Sequence, residues 1–379
     1  MTKRVLLVAA ATLLLFAPVA GAARRDVPRG FYGVTYDRAA AGLSDTDQEA
    51  QWSLMARSGV ESARVVFSWA AAQPEAGSEP SFAGTDLIVA RAARHNVRLL
   101  PVVVGTPGWA ARDPGVDGSP PAHVSDYAVF LRALVQRYGA RGSFWGEHPE
   151  LPRRPVRAWQ IWNEPHLLTW WNTAGRPAGS WAPEYAQLLK LAYLAIKGVD
   201  PRATVVLTAL ADFAWDHLDR LNRFGIRRYF DVAALNLFTA RPKLVLKGVR
   251  FVRRALRRGH EARKPVWVTE TTWPAGKSRV AVPRVASQRA WYTTDRGMAG
   301  RVRSLYSIAA RERRKLRLGR VYWYTWASEY SDSDLFGYSG LLRYSSGTLE
   351  PQPALRAYAR SARRHQGCAK TPAGGCARY

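Results

Sequence analysis

The chain has 379 residues, 47% of them hydrophobic, with 56 Lys and Arg against 29 Asp and Glu for a net charge of +27. That hydrophobic share builds a packed core and excludes a chain too polar to fold, while the length alone admits one large domain or two small ones. The charge favours polyanionic surroundings, namely anionic cell-wall polymers, acidic polysaccharides, phospholipid surfaces or nucleic acid; the alternative is an arginine-rich surface that is simply solvated.

In chain order, the first segment reads "MTKRVLLVAAATLLLFAPVAGAARRD". Lys3 and Arg4 precede an apolar run from Val5 to Val19, and Ala20-Gly21-Ala22 has the small-x-small form of a cleavage site. Residues 1–22 are therefore expected to be a secretory signal peptide, with an uncleaved membrane anchor as the alternative. No later stretch approaches ~18 consecutive apolar residues, so a mature chain without a transmembrane segment is expected, secreted or held at the cell envelope.

Eight short β-branched or apolar runs follow: "FYGVTY" (31–36), "SARVVF" (62–67), "VRLLPVVV" (97–104), "VRAWQIW" (156–162), "ATVVLTAL" (203–210), "FDVAALNLF" (230–238), "PVWVTE" (265–270) and "RVYWYTW" (320–326). Segments of helical period lie between them. In the clearest, Tyr185, Leu188, Leu189, Ala192 and Ile196 recur along one face, with Pro183 at the start and Gly198 and Pro201 at the finish. Alternating strands and helices imply βαβ units and a parallel sheet covered on both sides. Eight such units predict a (β/α)8 barrel in one domain over 23–365; an open doubly wound sheet fits less well, because no G-x-G-x-x-G follows the first strand. The dense basic stretches "RFVRRALRRGHEARK" and "RERRKLRLGR" keep apolar residues at helical spacing and read as exposed helix faces. No nucleic-acid recognition motif accompanies them, so no specific nucleic-acid partner is expected. The tail, 366–379, holds the only two cysteines, Cys368 and Cys376, which in an exported chain are expected to close a small disulfide loop.

Working residues of such a barrel sit where strands finish. Glu164 follows the fourth run and Glu270 ends the seventh, so two carboxylates from different strands are expected to converge at one mouth. Cleavage of a glycosidic bond needs such a pair, one protonated to donate to the leaving oxygen and one ionised to attack the anomeric carbon or activate water. A single Glu at a strand end more often pairs with an arginine or caps a helix; two within tryptophan-flanked segments point to chemistry. There is no HExxH, P-loop or G-x-S-x-G, so no metal and no cofactor is expected. His123, His148 and His166 lie in polar, loop-like sequence and read as surface or subsite residues.

"IWNEP" (161–165) resembles the strand-four motif of the clan A glycoside hydrolases, and "WVTETTW" (267–273) their strand-seven motif; "YAQLLKLAYLAIKGVDPRATVV" is similar to the helix and fifth strand of family 39 and family 5 members. The similarity of pattern spans most of residues 30–360, and the two glutamate motifs carry nearly all of its specificity. The resemblance implies Glu164 as general acid/base and Glu270 as nucleophile of a retaining double displacement, with carboxyl groups about 5 to 5.5 Å apart. It implies that Asn163 binds the sugar 2-hydroxyl and that Arg64, near the end of the second run, keeps Glu270 ionised. It also implies an eighth-strand tryptophan under the sugar, Trp323 first and Trp326 second. Trp171 and Trp273 are further sugar-binding candidates, as are Trp69, Trp109 and Trp170, for each of which core packing is an equal expectation. One departure stands out: where the clan often has a histidine followed two residues later by a tyrosine that bonds the nucleophile, "AALNLFTA" has Asn236 and Phe238. Asn236 is left as the donor to Glu270, and the substrate is expected to be an uncommon one.

The function expected is secreted, retaining hydrolysis of a β-linked polysaccharide or glycoside. Three alternatives remain: a transglycosylase remodelling envelope glycans, a carbohydrate-binding protein on the same barrel, and an anchor that holds polyanions through its basic surface.

Overall fold

In the computed structural model the described residues are 25–37, 40–277, 279, 289–330 and 336–368. The expected signal peptide and Cys376 lie outside them. The eight runs are the eight strands: β1 Tyr32–Thr35, β2 Ser62–Ser68, β3 Arg98–Val104, β4 Ala158–Ile161, β5 Thr204–Leu210, β6 Val232–Asn236, β7 Val266–Thr271 and β8 Leu318–Trp323. They close in sequence order, and every neighbouring pair, β1 with β8 included, is parallel.

Ten α-helices are described: α1 Asp45–Arg57, α2 Trp69–Ala72, α3 Ala83–Arg94, α4 Val124–Tyr138, α5 Phe144–Glu147, α6 Trp181–Val199, α7 Ala214–Asn222, α8 Pro242–Arg258, α9 Asp295–Leu316 and α10 Pro353–His365. Helix α6 is the one whose period was plainest, and its apolar face, Tyr185, Leu188, Leu189, Ala192 and Ile196, is buried. Three short strands, β9 Ala327–Ser328, β10 Leu342–Ser345 and β11 Thr348–Pro351, form a separate sheet after β8. Among the described residues no helix is long and apolar enough to cross a membrane.

Strand alternation divides the core in two. One set of side chains faces the helices and makes the large outer core; the other fills the barrel, where Leu100, Ala158, Val206, Val232, Ala234, Trp267 and Tyr322 form a separate cluster. At the level of this plug the Ser62 and Tyr322 hydroxyls lie 2.8 Å apart. Above it the inward residues turn polar, Arg64 on β2 and Gln160 on β4, and then open to solvent: Val66, two residues past Arg64, is 47% exposed. The barrel is thus closed below and open at the C-terminal ends of its strands.

The basic charge is arranged by the helices. Each of the eight helices longer than four residues carries a basic residue in its last turn, where the negative end of the helix dipole favours it. These ends lie at the closed side of the barrel. There Arg25, Arg311, Arg313 and Arg314, with Asp26 and His365, line a cavity of about 480 Å³ between α9 and α10.

Candidate active site

At the ends of β4 and β7 the backbone abandons strand alternation, and this decides which side chains share the mouth with the glutamates. On β4, Ala158 faces the inner cluster and Gln160 bonds inward-facing Arg64, so a regular strand would send Asn163 outward. Instead Trp162 and Glu164 take left-handed backbone, at φ +65° and +40°. Each such residue costs about 1–2 kcal/mol. Buried bonds offset it: the Trp162 amide donates to the Val103 carbonyl and the Glu164 amide to the Ala209 carbonyl, both at 3.1 Å. The reversal turns the Trp162 indole out against Tyr127 and Trp171 and leaves Asn163 and Glu164 both directed at the mouth.

On β7 the device is a β-bulge. Leu235 pairs with Val268 but Asn236 with Glu270, and on the other side Val268 pairs with Val321 but Thr271 with Trp323. Both registers require one extra residue in β7, at Thr269–Glu270. Regular alternation from inward-facing Trp267 would point Thr269 in and Glu270 out; the bulge lets both face the cavity.

Arg64 ties the floor together. Its Nη1 donates to Glu270 Oε1 at 2.6 Å, its Nη2 to Asn163 Oδ1 at 2.8 Å and its Nε to Gln160 Oε1 at 2.9 Å. Gln160 is held in turn by its own Nε2 donating to the Trp162 carbonyl at 2.9 Å. On the opposite side, Asn236 Nδ2 donates to Glu164 Oε1 at 2.7 Å. Asn236 is also the register partner of Glu270, so one amide side chain stands between the two acids. Glu164 and Glu270 are 8% and 9% exposed, respectively, which leaves both buried but open toward the mouth.

Burial raises the pKa of both acids. Glu270 is pushed up to about 8 by burial first, with Arg64 opposing and the negative charges of Glu164 and Asp37 adding to the rise. Glu164 is raised by burial first, with Asn236, Arg64 and the Trp170 side chain opposing and Asp212 adding. Two buried carboxylates that repel each other lose their protons in separate steps, so between those steps the pair holds one proton. The remaining charge is favoured on Glu270, which touches a guanidinium, over Glu164, which accepts from a neutral amide. Arg64 draws the Glu270 value down but does not bring it to the ordinary carboxylate range, because burial outweighs it.

A stability prediction follows from the sign of this shift. A carboxyl raised in the folded state binds its proton more tightly there than in the unfolded chain. Its contribution is therefore intact below the ordinary carboxylate range and lost as pH rises toward 8. Glu270→Gln, which keeps the shape without the charge, is expected to raise Tm by a few degrees at pH 8.5 and to leave it unchanged at pH 4. Scanning calorimetry at the two pH values checks this; an equal loss of Tm at both would contradict it.

Several expected positions are corrected. Arg64 is the third residue of β2 and not near its end, and it reaches up into the site from below. Asn236 bonds Glu164 and not Glu270. Trp323 follows inward-facing Tyr322 and so lies on the helix side, fully buried, its indole donating to the Ser339 carbonyl at 3.0 Å. Trp171, Trp273 and Trp326 are equally enclosed, with their indoles bonded to Glu184, the Thr239 carbonyl and Gln51; none of the four offers a ring face to a sugar. The aromatic wall that flanks β6 and β8 at the mouth is instead half-buried. It comprises Phe238, Trp291, Tyr324 and Phe336, with ring centroids 4.6 Å apart for Phe238 and Phe336 and 5.8 Å for Phe238 and Trp291. His123 is exposed and His148 lies 3.2 Å from Glu150. His166 stacks on His217 at 4.3 Å between ring centroids, and burial pushes it down to about 3, which keeps it neutral.

Gln160, Thr269, Asp37 and Asp212 were not anticipated. Gln160 could have been found as the one amide in an apolar run, and Asp37 by applying to β1 the strand-end rule that picked out the glutamates. Nothing in the sequence marks Thr269 as a bulge.

No protein-family model matches the chain, and no curated protein sequence matches it. Among solved structures it is similar to a family 39 glycoside hydrolase from the gut symbiont Bacteroides cellulosilyticus WH2, with TM-score 0.64 and 18% identity over 90% of this chain and 64% of that one. It is also similar to a GH39 β-xylosidase from Caulobacter crescentus, with TM-score 0.61 and 18% identity over 89% of this chain and 72% of that one. A third is GH5_18 from Streptomyces cattleya, solved in complex with Manb1-4GlcNAc, with TM-score 0.63 and 18% identity over 90% of this chain and 82% of that one. The likeness is one of architecture: over about nine-tenths of its length this chain is folded as a (β/α)8 barrel similar to those of these glycoside hydrolases.

Proposed function

We propose that the chain is a retaining glycoside hydrolase, acting on a β-linked glycoside or polysaccharide, with Glu270 as nucleophile and Glu164 as general acid/base. The observation that carries this reading is a pair of buried carboxylates at one mouth in unlike settings, one against Arg64 and one against Asn236. The leader-like first 22 residues support action outside the cell.

In the first half-reaction the Glu270 carboxylate attacks the anomeric carbon as the bond to the leaving oxygen breaks, and Glu164 passes its proton to that oxygen. Bonding removes the charge from Glu270 and with it the repulsion that opposed ionisation of Glu164. Glu164 then takes a proton from water, the oxygen of which attacks the same carbon and releases Glu270. Asn163, fixed by Arg64, keeps its amide nitrogen available for the sugar 2-hydroxyl. The wall of Phe238, Trp291, Tyr324 and Phe336 supplies the apolar ring faces that sugar C–H groups pack against.

The test is a panel of aryl β-glycosides and polysaccharides, followed by NMR of the first-formed anomer. Release of the β-anomer before mutarotation is expected. An α-anomer would establish inversion, and no hydrolysis across the panel would leave a carbohydrate-binding protein on this barrel. Transfer to a labelled sugar acceptor, in preference to water, would mark a transglycosylase.

A further inference from the structure

The extra residue in β7 does more than turn Glu270 inward. Thr269 is wholly buried beside wholly buried Asn236, and its hydroxyl donates to Asn236 Oδ1 at 2.9 Å while Asn236 Nδ2 donates to Glu164 Oε1 at 2.7 Å. The three groups form a chain of bonds with a direction. A carboxamide has an oxygen and a nitrogen of nearly equal size, and packing alone does not decide which faces Glu164. An ionised Glu164 only accepts, so the NH2 faces it, and the Thr269 hydroxyl completes that arrangement by donating to the amide oxygen on the other side.

From this geometry we propose that Thr269 is a positioning residue, which acts through Asn236 to keep a donor on Glu164 and so sets how readily the acid/base gives up and regains its proton. Without the hydroxyl, Asn236 Oδ1 is left buried without a donor and the amide is free to turn over. An amide oxygen would then face Glu164 Oε1 and disfavour the ionised acid. The threonine hydroxyl can also rotate to accept from Asn236, an arrangement that needs a proton on Glu164 facing the amide oxygen. The same pair of residues thus accommodates both protonation states that Glu164 must visit. The role rests on the reading of Glu164 as acid/base, but the bond network does not.

The experiment uses the full chain with carboxyl-13C-labelled glutamate. Glu164 is assigned by its disappearance in Glu164→Gln and titrated by NMR in wild type, Thr269→Val, Thr269→Ala and Thr269→Ser. Thr269→Val and Thr269→Ala are expected to move the Glu164 titration up by about one pH unit, the scale of one lost charge-assisted bond, and Thr269→Ser to restore the wild-type value. The alanine variant covers the case in which valine fails to fold in the bulge. Because Thr269 acts through the amide, Asn236→Ala combined with Thr269→Ala is expected to titrate as Asn236→Ala alone. Unchanged titration in the alanine variant overturns the proposal, as does a serine variant that shifts as far as alanine. The titration needs no substrate: if no glycoside is hydrolysed, the enzymatic reading fails while this measurement still decides the role of Thr269.

Discussion

Glu270→Ala is expected to lower kcat on an aryl β-glycoside by about 10⁴-fold or more while leaving the fold intact. The size of the effect comes from the position of the side chain. Glu270 accepts from Arg64 at 2.6 Å, at the end of a strand whose bulge turns it to the mouth. Alanine vacates space beside a guanidinium, where a small anion such as azide can enter. Azide attack from that face is expected to restore turnover and to give a glycosyl azide of configuration opposite to the substrate. A variant that keeps a tenth of wild-type activity, or an azide product of unchanged configuration, would remove Glu270 from the role of nucleophile.

What the sequence made legible, and what it hid, divides along a physical line. Strand order and the placement of Glu164 and Glu270 at strand ends follow from hydrophobic periodicity and chain order, which are local properties, and all eight strands appear where the runs predicted them. The direction of a side chain at the end of a strand is not local. It depends on two left-handed residues around Asn163 and on one inserted residue in β7, neither of which leaves a compositional trace. The resemblance implies a tryptophan on β8 under the sugar, Trp323 first, yet parity with inward-facing Tyr322 turns Trp323 to the helices. Asn236 was placed correctly on β6 but given the wrong partner, because which acid it meets is decided by the bulge in its neighbour. The balance of burial against Arg64 at Glu270 was hidden for a related reason. An arginine can be seen in a sequence, but the loss of water around a carboxyl cannot, and here the loss of water outweighs the arginine.

Glu164→Ala is expected to behave unlike the loss of the nucleophile, and the contrast tests the division of labour between the two acids. For a leaving group that departs without a proton, such as a dinitrophenolate, Glu270 still attacks and kcat/KM is expected to change little. For an alkyl or sugar leaving group it is expected to fall by about 10³-fold, within the range general acid catalysis supplies. The second half-reaction also loses its base. The glycosyl-enzyme should therefore accumulate with the activated substrate, lowering kcat and KM together and producing a burst of phenolate before the steady state. Azide, which needs no base, is expected to relieve that block and to yield a product of retained configuration, the opposite of the Glu270→Ala result. The alkaline limb of the pH profile should disappear in the variant, since the group that must hold its proton for the first step, burial-raised Glu164, is gone. Equal losses with good and poor leaving groups would show that Glu164 serves the fold or the binding of the sugar and not the transfer of the proton.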